Sequence, residues 1–347
     1  MNAQILKQVV GIDVSQDELV VSLGQLTQDL STQVVAQKSF VNKAAGFLTL
    51  KEWVSKHTNG QLPVLWVMEA TGVYHEALAY FLNDQECPVS IVVPNKISNY
   101  MRTLDIKTIT DKTSAEAIML FGLQRQLTLW SRPSSTFKQL RQLTRERDQV
   151  VDLRTMSKNH LHAEQAEAEP NRETVARIKR QIDFFDKQVA EITTSIQNIV
   201  RSNAEVKRRV DQSCTIPGVG LLTAVTVLAE TNGFDLIKSK KQLTSYAGLD
   251  VQEKQSGTSV KGKPRISKKG NRYLRKCLHM PALAAIKNDE RSKAFFARLV
   301  SRHGIKMKAA VAVQRKLLEL IYTLYKKDEN YNEDYYKKLE SSLTTTP

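Results

Sequence analysis

The sequence predicts an α/β domain followed by a mainly helical half, and three observations carry that class. Short β-rich runs alternate with helical runs over the first 130 residues; a long apolar stripe of helical spacing occupies 175–199; and helix-forming sequence with few strand signals continues to about 326. Taken in order, residues 9–13 (VVGID) read as a buried strand, and Ser15-Gln16-Asp17-Glu18 as a tight connection into a second strand at 19–23. Residues 64–68 form another buried strand, and the turn Thr71-Gly72 leads into a helix at 74–82. A strand at 89–93 is stopped by Pro94-Asn95, and a helix at 111–123 opens on Thr110 or Asp111 as N-cap. Residues 1–130 are therefore expected to be one domain.

Arg132-Pro133-Ser134-Ser135 marks a boundary, after which a long polar helix-former breaks at Glu169-Pro170-Asn171, so 131–200 is expected to be a hairpin of two helices. Val175, Ile178, Ile182, Phe185, Val189, Ile192, Ile196 and Ile199 are spaced 3, 4, 3, 4, 3, 4, 3, a heptad seam. The plain reading is a helix packed on its own domain. The narrow stripe favours a coiled coil, within the hairpin or between chains, and 131–200 is expected to be a coiled-coil dimerisation segment. A second globular region, mostly helical, covers 201–326, and 327–347 reads as a polar tail.

The 347 residues carry 51 Lys+Arg against 36 Asp+Glu, a net charge of +15 that points to a polyanion, most simply nucleic acid. The longest stretch without a charge or a strong turn signal, 221–229, is far short of the roughly 20 apolar residues that span a bilayer. Cys87, Cys214 and Cys277 are far apart, which argues against a disulfide framework and for a reducing, cytoplasmic setting.

Two carboxylates stand at strand ends: Asp13 closes 9–13, and Glu69 follows 64–68. The carboxyl ends of central strands are where open α/β sheets build their sites, and a third acid opening a nearby helix, Asp111, would complete an all-oxygen nest suited to Mg²⁺. Paired divalent ions there can activate the attacking oxygen of a phosphodiester exchange and stabilise the leaving one. The plainer reading of each acid is a cap or a solvated loop charge. Ile216-Pro217-Gly218-Val219-Gly220 before a helical run fits a helix-hairpin-helix-like element, in which Gly218 and Gly220 let a DNA backbone approach the next helix N-terminus; a simple helix–helix turn is the alternative. From Lys254 to Lys276 there are nine basic residues and no acid, among them Lys261, Lys263, Arg265, Lys268, Lys269, Arg272 and Arg275, interleaved with glycines and expected to lie along phosphates. Within this stretch Ser256, Ser259 and Ser267 are hydroxyls among cations; residue chemistry alone makes them phosphate-binding groups before nucleophiles.

Gly11-Ile12-Asp13-Val14-Ser15, Met68-Glu69-Ala70-Thr71-Gly72, Pro94-Asn95, Thr110-Asp111-Lys112, Ile216-Pro217-Gly218-Val219-Gly220, Tyr246-Ala247-Gly248-Leu249, Ser256-Gly257-Thr258-Ser259 and Ile266-Ser267-Lys268-Lys269-Gly270 occur in this order over roughly residues 8 to 325. The ordered set resembles the DEDD transposases of bridge-RNA-guided insertion-sequence recombinases, the group that includes the Piv invertase. The resemblance implies a RuvC-like, RNase H-type N-terminal domain, a coiled-coil dimerisation segment and a C-terminal transposase domain with a nucleophilic serine. By position Asp13, Glu69 and Asp111 match the first three acids of the family set, and Ser256 matches the serine that becomes linked to DNA. It further implies Mg²⁺, a bridge RNA pairing with target and donor DNA, and a homo-oligomer, dimeric and tetrameric at synapsis, in which one protomer's acids meet another's serine. The setting it implies is the bacterial cytoplasm, at the nucleoid when active.

The chain departs from the family at the fourth acid, where Ser114 stands three residues after Asp111. Ser114 shares a helix face with Asp111 and would reach a metal through water, but brings no charge. Glu116 lies about 200° around the helix from Ser114, and Asp105 precedes the helix. Two competing readings follow: a Mg²⁺-dependent RuvC-like nuclease in which water attacks and Ser256 only binds phosphate, and a catalytically degraded nucleic-acid-binding protein.

Overall fold

β1 (Ile5–Val14) is the central strand of a five-stranded sheet of order β3-β2-β1-β4-β5. This is a computed structural model, and it describes residues 4–58, 60–70, 72–104, 106–235, 237–253, 255–256, 260–262 and 265–332; at 255, 256, 260 and 261 the backbone alone is described. The chain divides into two units, 1–132 and 133–347. In the first, β2 (Glu18–Thr27) and β3 (Thr32–Val41) continue antiparallel from β1, while β4 (Val64–Glu69) and β5 (Val89–Val92) run parallel to it.

Strand periodicity sorts the core into two layers. Val10, Ile12 and Val14 of β1 and Trp66 and Met68 of β4 face α1 (Ala44–His57) and α2 (Glu76–Asp84), whose Phe47, Leu50, Val54, Leu78 and Leu82 complete that layer. Val9 and Val67, on the opposite face, meet Ile97 of α3 (Pro94–Met101) and Ile118, Met119 and Leu123 of α4 (Asp111–Gln124). β3, α1 and α3 are additions to the elements read from sequence. β3 is a largely exposed edge strand, so the apolar alternation that marks a half-buried strand is weak in it.

The second unit is helical. α5 (Ser135–Gln165) and α6 (Arg172–Ser202) form the expected hairpin, and the break falls where Asn171 caps α6, its side chain accepting from Glu173 N and Thr174 N. The heptad seam closes inside this chain: Ile178, Ile182, Phe185, Ile192 and Ile196 are buried, and Arg147 to Thr193, Ser157 to Gln181 and Arg154 to Asp186 tie the two helices along their length. Within the chain the stripe therefore packs on α5 and on the unit's own core, the hairpin arrangement of the two expected. That core runs from Leu140 and Val150 of α5, through Phe185 and Ile196, to α7 (Ala204–Cys214), α8 (Leu221–Glu230), α9 (Lys240–Ala247), α10 (Arg272–Cys277), α11 (His279–Asn288) and α13 (Lys306–Lys327). α12 (Glu290–His303) has no fully buried residue and packs Phe295 and Phe296 against this core. Between α9 and α10 a β excursion is held by two short ladders, β6 (Val251–Gln252) with β9 (Arg265–Ile266) and β7 (Gln255–Ser256) with β8 (Val260–Lys261). The end of the polar tail, 333–347, lies outside the described residues.

Candidate active site

The acids of the first unit come within electrostatic reach of one another because of strand parity and one glycine. Asp13 and Glu69 both fall on the face that carries Val9 and Val67, the face covered by α4. Ile12 pairs with Met68 as the last pair of the parallel β1–β4 ladder, so the next residues, Asp13 and Glu69, stand side by side at its end. α4 starts at Asp111 because Thr110 and Thr113 form a capping box: the Thr110 hydroxyl accepts from Thr113 N (3.3 Å) and Thr110 N donates to Thr113 Oγ1 (2.8 Å). The helix can lie on β1 only because residue 11 has no side chain. A Cβ on Gly11 would stand 2.2 Å from Met119 N and 2.4 Å from Ala115 O.

The electrostatics record this convergence. Burial first, then the carboxylates of Asp111 and Glu69, push the Asp13 carboxyl up to about 6, against a small lowering by the Val14 backbone N–H. Three oxygen-donor acids whose charges oppose one another are the donor chemistry a hard divalent cation neutralises. They are not drawn into a finished cage: among the described residues no group of three or more His, Cys, Asp or Glu is gathered closely enough to hold a metal ion. Ser114 is half-buried, its N–H donating to Thr110 O at 2.8 Å within the first turn. Glu116 is directed to β3, where Gln37 Nε2 donates to it at 3.4 Å, so it does not replace the missing acid. Asp105 lies outside the described residues.

In the second unit, Ser256 pairs with Val260 in the inner β7–β8 ladder, the last pair before 257–259. Ser259, Lys254 and Lys263 lie outside the described residues, and of Lys261 the backbone alone is described. Ser267 is used structurally, its Oγ donating to Asp250 Oδ1 at 2.5 Å and its N–H to Asp250 O at 2.8 Å. Arg265, Lys268 and Lys269 are exposed. The remaining cations of the run are partly committed. Arg272 stacks on Tyr273 at 4.9 Å, and Lys276 pairs with Asp148 and Asp152 at 2.8 and 2.7 Å. Arg275, expected on phosphate, turns inward: its Nη1 donates to Ala247 O, Gly270 O and Asn271 O, tying α10 to the end of α9.

The two glycines of the 216–220 turn part company. Gly218 has φ +85, and a Cβ there would stand 2.5 Å from Pro281 O, so it serves the packing of the turn on α11. Gly220 is the N-cap of α8 with open space around it.

A polar cluster that the sequence reading missed holds the root of the serine excursion. The Glu230 side chain, 1% exposed, accepts from Arg145 Nε and Nη2 at 2.6 and 2.7 Å and from Asn271 Nδ2 at 2.6 Å. Asn271 also caps α10 through Tyr273 N and Leu274 N, and its own N–H donates to Tyr246 O. The signal available in sequence was a lone acid closing an otherwise apolar helix, LLTAVTVLAE, which cannot stay buried without a cation.

Comparison with known proteins agrees over both units. Residues 10–165 match a transposase family of DEDD, IS110 type, and residues 212–297 match the family described as Transposase IS116/IS110/IS902. The Pilin gene-inverting protein of Moraxella bovis is 27% identical over 300 residues, 85% of this chain and 90% of that protein. The transposase for insertion sequence element IS1111A of Coxiella burnetii is 29% identical over 152 residues, 42% of this chain and 40% of that protein. Among solved structures, T. thermophilus RuvC in complex with a Holliday junction substrate aligns with 35% of this chain and 99% of its own, at a TM-score of 0.28 and 9% identity. With the acid-bearing unit matched by one transposase family and the serine-bearing unit by the other, the chain belongs to the IS110/IS116/IS902 family of transposases.

Proposed function

We propose that this chain is an insertion-sequence DNA recombinase that cuts and rejoins strands through a serine–DNA phosphoester at Ser256, with Mg²⁺ held by Asp13, Glu69 and Asp111 of a RuvC-like domain. The observation that carries this reading is the convergence of three acids on one sheet end, with Asp13 pushed up to about 6 by burial and by its two neighbours. A bound divalent cation would supply charge neutralisation at the phosphate and activation of the attacking oxygen.

The chain's own residues do the rest. The Ser256 hydroxyl gives up its proton and bonds to phosphorus while a deoxyribose oxygen leaves with a proton; a second strand's hydroxyl reverses the exchange, rejoining DNA and freeing the serine. One phosphoester is traded for another at each step, so no outside energy source is needed. Arg265, Lys268 and Lys269, exposed beside the outer ladder, would hold flanking phosphates, and Gly220 would admit a backbone to the α8 N-terminus. Ser114 would contribute through water. A bridge RNA paired with target and donor DNA would choose the sites, and a homo-oligomer would bring one protomer's acids to another's Ser256; the family membership supports both. Ser114 in place of the fourth acid favours, as the competing reading, a nucleic-acid-binding protein without activity.

The test is strand cutting on labelled donor and target DNA with the RNA transcribed from the element's flank, in Mg²⁺ and in EDTA. The expected result is cutting by the wild type in Mg²⁺ alone and a loss of at least 100-fold, on the order of one such transition-state group, in Asp13→Asn and in Glu69→Gln. Cutting that survives both substitutions overturns the assignment of the acids. Folded protein that binds the RNA and DNA and never cuts them supports the competing reading.

A further inference from the structure

The cations predicted for nucleic acid in 254–276 are partly spent on Asp148, Asp152, Tyr273 and backbone carbonyls. In a second basic stretch Lys293 pairs with Glu290 and Arg298 stacks on Phe295, but the cations at its far end are not spent in this way. Residues 291–308 carry Arg291, Lys293, Arg298, Arg302, Lys306 and Lys308 and no acid. Around the α12–α13 turn, Arg302, Lys306 and Lys308 are exposed and make no ion pair among the described residues. Residues 301–308 are all exposed, and Gly304 has φ +68 with nothing within 4 Å of an added Cβ. Between these cations, Ile305 and Met307 are 46% and 59% exposed. Large aliphatic side chains alternating with unpaired cations on an exposed turn match the two needs of a DNA-groove contact, charge for phosphates and apolar wedges for sugars and base edges.

The turn is also continuous with the serine excursion. Met307 and Met280, the latter 67% exposed, border a cavity of about 670 Å³ whose lining includes Ile266, next to Arg265, and Lys276. One depression therefore has the basic root of the excursion on one edge and the α12–α13 turn on another.

We propose that residues 302–308 form a second contact for duplex DNA, with Arg302, Lys306 and Lys308 on phosphates and Ile305 and Met307 set in the minor groove. Duplex DNA is the occupant because single-stranded RNA is gripped by exposed aromatic rings, and the turn Arg302-His303-Gly304-Ile305-Lys306-Met307-Lys308 has no Phe, Tyr or Trp. The site deepens the recombinase reading and rests on it for the identity of the polyanion.

The experiment is fluorescence anisotropy of the full-length chain with a labelled duplex at a series of KCl concentrations, comparing wild type with Arg302→Ala/Lys306→Ala/Lys308→Ala and with Ile305→Ala/Met307→Ala. Every substituted side chain is exposed, and circular dichroism melts check that the fold is kept. The triple variant is expected to bind at least about tenfold more weakly and to flatten the log–log salt slope by about 2 to 3, near 0.9 for each phosphate no longer neutralised. The double variant is expected to bind severalfold more weakly with the slope unchanged. Wild-type affinity and slope in the triple variant overturn the site while leaving the recombinase reading standing. Loss of single-stranded RNA binding with duplex binding intact also overturns it, assigning the turn to RNA. A wild type that does not bind duplex DNA overturns the recombinase reading and this site together.

Discussion

Asp13 is a carboxylate kept in a place that disfavours its charge, and that has a measurable sign. Its carboxyl is raised to about 6 in the folded chain by burial, Asp111 and Glu69, in that order, against an ordinary value near 4 when unfolded. Between these values the folded state holds the extra proton, so stability is fully present below about pH 4 and falls as pH rises through about 6. The full shift would be worth roughly 3 kcal/mol, and water around a half-exposed carboxyl reduces it to about 1 kcal/mol. Asp13→Asn is therefore expected to melt several degrees above wild type at pH 7.5 without divalent cation and with wild type at pH 4, read by calorimetry; equal melting at both pH values would contradict the convergence. Glu230 is the opposite case, a buried charge with every oxygen answered. Glu230→Ala is expected to cost about 3 kcal/mol in a urea melt, since it leaves Arg145 and Asn271 without their acceptor, and Glu230→Gln about half of that because Asn271 keeps an oxygen. A cost below about 1 kcal/mol for the alanine variant would show the cluster to be dispensable.

At the scale of elements, α4 depends on Gly11. With Ala115 O and Met119 N less than 3 Å from where a Cβ would stand, Gly11→Ala must push the helix off β1, carrying Asp111 and Ser114 away from Asp13. The expected cost is about 2 to 3 kcal/mol by denaturant melting, with the raised Asp13 titration moving back toward the ordinary carboxylate range in NMR; an unperturbed titration would mean the acids converge without the close helix. Much of this was legible in advance. Strand-end acids, the turn signals around 94–95 and the Thr110 cap are local chemistry, and the structure puts β1, β4, β5 and α4 where that chemistry pointed. What was not legible depended on partners distant in sequence. β3 is an edge strand with one flank in water, so little apolar alternation marks it. The 175–199 seam has the same spacing whether its partner is α5 or another chain, and the packing of α5 on it, tied by Arg147, Ser157 and Arg154, is visible only in the fold. Gly218 reads as a phosphate turn in sequence, and its contact with α11, more than 60 residues on, is visible only in the fold.

Across the whole molecule, the +15 charge predicted a polyanion, but the sum does not say which cations are free. Lys276 and Arg275 are bound to the protein itself, while Arg302, Lys306 and Lys308, outside the run that drew the eye, are not. No described helix is long and apolar enough to cross a membrane. The chain carries its acids in one unit and its serine in the other, and both units match transposase families, so the recombinase reading requires the second unit to supply a nucleophile to chemistry begun at the acids of the first. The decisive measurement is denaturing-gel capture of a protein–DNA adduct with donor DNA, target DNA, flank RNA and Mg²⁺, followed by mass spectrometry of the digested adduct. A serine recombinase leaves a nucleotide phosphate joined to Ser256 on the peptide spanning 255–261, with no adduct in Ser256→Ala. Cut DNA without any linked protein, or cutting undiminished in Ser256→Ala, would overturn that reading and leave a hydrolytic nuclease in its place.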